Sequence, residues 1–260
     1  TQKTPEPGKL PPLLRKIEMD TSTPASLTQL YTLVPSHMRE PYLVHLLHHP
    51  PCQKVEVRTD LSDVYRTHKP KLPREEAPAF PLSIIFVARC KSAELLSRML
   101  TELGIPNVSL HSMLPQSTRL HNLHMFRARR VPILISTDVG SRGLDVPDVE
   151  LVVNWDVPAA WEDYVHRVGR TARKGRPGWA VSFVTEHDVE LVQTIEDKIH
   201  KTLTEWDMPE SQVLERLSHV SAAKRVASMA LHDEKFGEQR ERNKRKAQAS
   251  QPPSKKHHVQ

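Results

Sequence analysis

Residues 166–173 read H-R-V-G-R-T-A-R, a string suited to capturing an anion. Arg167, Arg170 and Arg173 recur at every third position around Gly169. On a helix, or at a tight helix end, that spacing points guanidinium groups toward one side. Each guanidinium can donate two parallel hydrogen bonds to phosphate oxygens, so two forks held side by side suit a polyphosphate. Gly169 has no Cβ, which lets a neighbouring backbone or a ligand come close. An arginine cluster as such is more often a solvated basic face. The order H-R-x-G-R-x-x-R behind a strand-like run is far rarer.

The elements that must position this string begin at Leu82. Residues 83–88 (S-I-I-F-V-A) form a continuous apolar run, as expected of a strand buried on both faces. Leu95, Leu96, Met99, Leu100 and Leu103 then share a helical face, with Gly104 at the expected stop. Further strands are predicted at 107–110, 131–136, 149–153 and 179–184. Pro115 opens a helix with Leu120 and Leu123 inward. Trp161, Tyr164, Val165 and Val168 step along the helix that leads into the arginines. Thr185 to Asp188 resemble a capping box ahead of Leu191, Val192, Ile195 and Ile199. This alternation implies an α/β fold, a parallel sheet with helices on both faces and right-handed crossovers. Ligands of such sheets bind beyond the carboxyl ends of the strands, and the motifs are expected there.

The flanks read differently. Residues 1–29 form a linker rich in Pro, Thr, Ser and Lys. A domain is expected over 30–208, opening with a short strand at 30–34 and a helix carrying Tyr42, Leu43, Leu46 and Leu47. Residues 48–81 read as a disordered insertion. His45, His48 and His49 cluster without a Cys or carboxylate at ligand spacing, so a surface or helix-end role is expected. Residues 209–260 read as one helix over 209–220, with Val213, Leu214, Leu217 and Val220 inward, and a basic helical tail from Lys224 onward. The 260 residues carry a net charge of +6, a balance that favours an anionic partner, nucleic acid first. Hydrophobic residues make up 38%, lean for one fully packed globule of this length. Cys52 and Cys90 are the only cysteines, so neither a disulfide framework nor a zinc cluster is encoded, and no metal ligands are assigned. Since no apolar run approaches about 18 residues, no membrane partner is expected.

The string at 166–173 resembles motif VI of the DEAD-box RNA helicases. Four more stretches match that family in order: Ile84-Ile85-Phe86-Val87 (motif IV), Gln116-Ser117-Thr118-Arg119 (Q-x-x-R), Ser136 through Asp145 (S-T-D-V-G-S-R-G-L-D, motif V) and Asn154-Trp155-Asp156-Val157-Pro158. The resemblance covers residues 30 to about 203, outside the insertion. It implies the second recA-like domain of an enzyme whose two domains close over ATP and RNA. Arg170 and Arg173 would be arginine fingers on the γ-phosphate. Asp145 would accept from the ribose hydroxyl of ATP, with Gly143 turning its loop. Arg119, Gln116, Thr137, His111 and Ser112 would face the RNA backbone, contacts that fix register without reading sequence. Arg142, His166 and Arg167 would couple the two sites. Some positions depart from the family pattern. Arg89 and Cys90 follow motif IV where a Thr is usual, Ser112 stands for a Gly, and Gly140 for an Ala.

The chain starts at Thr1 and contains neither a G-x-x-x-x-G-K-[ST] loop nor a D-E-A-D string. The Mg²⁺ ligands and the β-phosphate cradle are therefore expected on a first domain upstream, with a truncated paralogue as the alternative, and this chain alone should not hydrolyse ATP. Leu33 to Leu47, which ends in Y-L-V-H-L-L, and Val152 to Asp156 (V-V-N-W-D) are most similar to the nucleolar subgroup serving small-ribosomal-subunit assembly in fungi. That likeness implies ribosome biogenesis, pre-ribosomal RNA, an assembly cofactor as partner and a nuclear, nucleolar location. A stand-alone RNA-binding module and a scaffold without ATPase activity are the alternatives.

Overall fold

The computed structural model describes residues 23, 24, 26–52, 80–141, 146–173 and 175–234. Most of the linker, most of the expected insertion, and the tail from 235 lie outside the described residues, as do Arg142, Gly143 and Asp145. Seven strands build one sheet: β1 (Leu27–Leu33), β2 (Ser83–Phe86), β3 (Asn107–Leu110), β4 (Ile133–Ser136), β5 (Leu151–Asn154), β6 (Gly178–Val184) and β7 (Thr204–Glu205). Their order is β3-β4-β2-β5-β6-β1-β7, and every pairing is parallel. The expected α/β sheet is therefore present. β1 starts three residues before the sequence pattern suggests. β7 was not foreseen, because its two residues, both exposed, carry no apolar signal.

The central strands read as unbroken apolar runs because both faces are covered. In β2, Ile85 and the following Val87 join one core with Leu43 and Leu46 of helix α1 (Arg39–His48) and Leu96, Met99 and Leu100 of helix α2 (Cys90–Glu102). Ile84 and Phe86 face the other core, with Phe126 of helix α3 (Gln116–Arg127), Tyr164 of α5 (Trp161–Val168) and Ile195 of α6 (Val189–Ile199). Full burial of each such side chain contributes about 1.5–3 kcal/mol against exposure. Gly104 takes φ +70° directly after α2, a left-handed stop that suits glycine. In α3, Leu123 and Phe126 set the buried stripe, and Leu120, expected inward, is turned out to solvent.

The helix expected over 209–220 is two helices. α7 (Glu210–Glu215) and α8 (Leu217–Asp233) meet at Arg216, whose φ −96° and ψ −2° open the helical path. Val213 and Val220 are buried as expected, while Leu214 is exposed. Lys224 and Arg225 belong to α8 and not to a tail. α8 buries Val220, Ala223 and Ala227 in the same core as α2, Leu231 is also buried, and Lys224 pairs with Glu40 at 2.6 Å. His45 lies in the last turn of α1, as the helix-end role expects, but it is buried and not at the surface, and it stacks on His49 with ring centroids 4.5 Å apart.

Candidate functional site

The residues singled out above divide between two opposite edges of the sheet. At the carboxyl edge, β4 ends in Ser136, and after Thr137 the chain turns at once into the short helix α4 (Asp138–Ser141). The Thr137 hydroxyl accepts from the Gly140 N–H at 3.1 Å, and the Thr137 N–H donates to the Leu110 carbonyl at 3.2 Å. The last turn of α4 thus sits against the end of β3. A Cβ on Gly140 would collide with the Leu110 carbonyl oxygen and crowd the His111 Cα, so this approach requires glycine. The Arg119 guanidinium reaches over from α3. It donates to the Gly140 carbonyl at 3.1 Å and to Gln116 Oε1 at 2.9 Å. Gln116, Arg119 and Thr137 are therefore gathered around one residue, Gly140.

One neighbour, His111, differs from expectation. His111 directly follows β3 with its side chain fully buried, so its ring does not face the edge. Its Nε2 lies 3.3 Å from Glu94 Oε2 on α2. The hydrogen bond from His111 holds the Glu94 carboxyl below its ordinary range; burial opposes this and Arg98 assists. Ser112 is half-buried, 3.6 Å from the sulfur of Cys90.

Arg167 does not point with the other arginines. Its side chain is 3% exposed and folds back along α5 toward the carboxyl edge. Nε and one Nη each donate at 2.7 Å to the two carboxylate oxygens of Asp138. The other Nη donates to the Asp156 carbonyl at 2.7 Å and to Asn154 Oδ1 at 3.2 Å. The guanidinium also lies 5.2 Å from the Phe86 ring centroid. Asp138, Asn154 and Asp156 are the anchors that sequence reasoning missed in this role. Their one signal was that each follows or ends an apolar strand run.

The remaining arginines lie at the amino edge. This corrects the expectation that every motif falls at the carboxyl ends. The cause is topological: α5 carries the chain from the end of β5 back to the start of β6, as a parallel crossover must. The Arg170 carbonyl accepts from the Val149 N–H at 3.0 Å, two residues before β5 begins. The Thr171 hydroxyl donates to the carbonyls of Val149 and Glu150 at 2.7 and 3.2 Å. Ala172 takes φ +57°, and its carbonyl accepts from Ser26 Oγ at 3.3 Å. The Arg173 guanidinium donates to the Gly169 carbonyl through Nε and to Asp148 at 3.1 Å through Nη1. Arg173 and Asp148 share a shallow depression with Arg129, Glu150 and Arg176. His166 is exposed and Arg170 half-buried, one helical turn apart. Gly169 itself caps α5 at φ −65°, and a Cβ there would meet carbonyls of its own helix.

Accessible guanidinium groups at this edge fit phosphate oxygens. Among the described residues no three His, Cys, Asp or Glu side chains converge as a metal site.

Known proteins resemble this chain in sequence and fold. Residues 76–175 match the helicase conserved C-terminal domain. The chain is 53% identical over 270 residues to the ATP-dependent RNA helicase DBP8 of Mycosarcoma maydis, covering 94% of this chain and 51% of that protein. It is 30% identical to the E. coli DEAD-box protein SrmB in its complex with regulator of ribonuclease activity A; the TM-score is 0.57, over 71% of this chain and 92% of that one. S. cerevisiae Dbp5 bound to RNA and ADP BeF3 is 27% identical, with a TM-score of 0.57 over 80% of this chain and 48% of that one. The chain spans about half the length of the curated relatives it matches.

Proposed function

The chain belongs to the DEAD-box helicase family, whose C-terminal, recA-like half it matches in sequence and fold, and from that premise we propose that it is the second domain of an ATP-dependent RNA helicase. The observation that carries the reading is the division of charged groups between two edges joined by one helix. Arg119, Gln116 and Thr137 stand at one edge. Arg170 and Arg173 stand at the other, and α5 with its buried Arg167 connects them.

In the two-domain protein the carboxyl edge grips the RNA backbone. Arg119 supplies charge, and the Thr137 region supplies backbone and hydroxyl donors. The amino edge presents Arg170 and Arg173 to the γ-phosphate of ATP held by the first domain, where Mg²⁺ is also held. Preorganised positive charge at the transferring phosphoryl group lowers the barrier without covalent chemistry by the protein. Closure over both ligands bends the bound strand, so a short duplex falls apart, and hydrolysis reopens the cleft. Asp145 and Gly143 complete the nucleotide contacts, and His166, Arg142 and Arg167 couple the edges. The resemblance of Leu33–Leu47 and Val152–Asp156 to the nucleolar subgroup supports a role in ribosome biogenesis, on pre-ribosomal RNA and with an assembly cofactor.

Adding a purified first domain to this chain and measuring ATP hydrolysis with and without RNA tests the proposal. RNA-stimulated turnover that neither part shows alone is expected. Tight RNA binding by this chain alone, with no turnover in the mixture, would favour a stand-alone binding module. For the finer role, a tagged protein should be nucleolar and its depletion should accumulate small-subunit precursor RNA. Normal precursor levels would remove that assignment.

A further inference from the structure

We infer that Asp148 is a positioning residue that parks Arg173, competing with phosphate for its guanidinium. This rests on the reading of Arg173 as a phosphate-facing arginine. The two arginines that flank Arg170 are held in opposite ways. Arg167 is buried and forked on Asp138 by two 2.7 Å hydrogen bonds. Arg173 is 43% exposed and Asp148 38% exposed, and a single 3.1 Å contact joins them. An exposed ion pair of this kind biases an equilibrium by at most about five-fold, which makes it an exchangeable contact and not a structural bolt.

The donor pattern makes the contact inhibitory. A guanidinium forks a phosphate either through Nε and one Nη or through its two Nη groups. Arg173 commits Nε to the Gly169 carbonyl and Nη1 to Asp148. The Nε-side fork is therefore closed by the Gly169 carbonyl, and Nη1, a nitrogen of the remaining fork, is drawn toward Asp148, so Asp148 competes for the one fork left to a phosphate. The backbone cannot make the exchange. Thr171 is bonded to Val149 and Glu150, the Ala172 carbonyl to Ser26, and the Arg173 carbonyl accepts from the Arg176 N–H at 3.2 Å. The freedom lies in the side chain. A phosphate with more than one negative charge outbids a solvated carboxylate, so Arg173 transfers when the γ-phosphate arrives and returns when it leaves.

The test uses the two-domain protein with saturating RNA and reads KM for ATP separately from kcat. Asp148→Asn should lower KM two- to five-fold with the thermal midpoint unchanged. Asp148→Ser should do the same, and Asp148→Glu should keep the wild-type KM. Loss of a negative charge alone would also favour ATP, so two controls separate contact from field. Glu150→Gln removes a carboxylate from the same depression and should leave KM unchanged. Asp148→Asn placed on Arg173→Ala should have no further effect. An unchanged KM in Asp148→Asn, or an equal fall on the Arg173→Ala background, overturns the inference while the arginine-finger reading stands. A normal kcat in Arg173→Ala alone would instead remove that reading, and the inference with it.

Discussion

Arg167 grips Asp138 with two parallel hydrogen bonds of 2.7 Å, tying the end of α5 to the first residue of α4. The pair links the helix that leads into Arg170 to the short helix that directly follows Thr137. Removing one partner leaves the other charge largely desolvated, at a cost of about 3 kcal/mol or more. Arg167→Ala should therefore lower the urea midpoint strongly. Arg167→Lys should also destabilise, because one ammonium cannot reproduce the fork. A midpoint unchanged in both variants would mean that this contact does not hold the edges together.

At the carboxyl edge, Arg119→Ala should weaken binding of single-stranded RNA to the two-domain protein in low salt. If Arg119 contacts one phosphate, the slope of log K against log salt should become shallower by about 0.7. Titrations at several salt concentrations check this. An unchanged slope would assign Arg119 to the architecture around Gly140 alone.

Much of this organisation was legible in the sequence. The run at 83–88 declared a strand covered on both faces, and the structure places Ile84 and Ile85 in two different cores. Gly104 marked the end of α2, and Gln116 and Arg119 were read together and are found together. Other features were hidden because they depend on three-dimensional return paths. The spacing of Arg167, Arg170 and Arg173 was uniform, yet the first reaches back along α5 and the others lie at the amino edge. His111 looked like an edge residue, but burial against Glu94 takes its side chain inward. α8 looked like the start of a solvated tail because its buried positions include small residues, Ala223 and Ala227, which give little hydrophobic signal.

Gly178 opens β6 beneath the arginine string. A Cβ there would strike the Ala172 nitrogen and the Thr171 hydroxyl oxygen. Gly178→Ala should cost about 1–3 kcal/mol by overpacking. Because it displaces the Thr171 anchor, it should also lower RNA-stimulated ATP hydrolysis. Calorimetry and turnover measured on one preparation check both effects. Wild-type stability would show that the backbone yields there.

Two histidines of α1 give the fold a pH dependence. Burial lowers the His45 pKa, helped by His49, Arg216 and His48 and opposed by Glu215. Burial also lowers that of His48, and its hydrogen bond to the Val44 carbonyl opposes this. The unfolded chain takes up these protons near pH 6.5, the folded chain only below it. Their contribution to stability is thus complete above about pH 6.5 and is lost as the pH falls toward the folded values. Urea midpoints should decline from pH 7.5 to pH 5.5, and His45→Leu should flatten the decline. A variant with the wild-type slope would place the effect elsewhere.

Delivery of Arg170 to a phosphate held by another domain is tested most directly by single-turnover ATP hydrolysis in the two-domain protein with RNA bound. Arg170→Ala should slow the chemical step by on the order of 10³-fold or more while RNA affinity and the urea midpoint stay at wild-type values. Hydrolysis at the wild-type rate would contradict the assignment of this edge to the nucleotide.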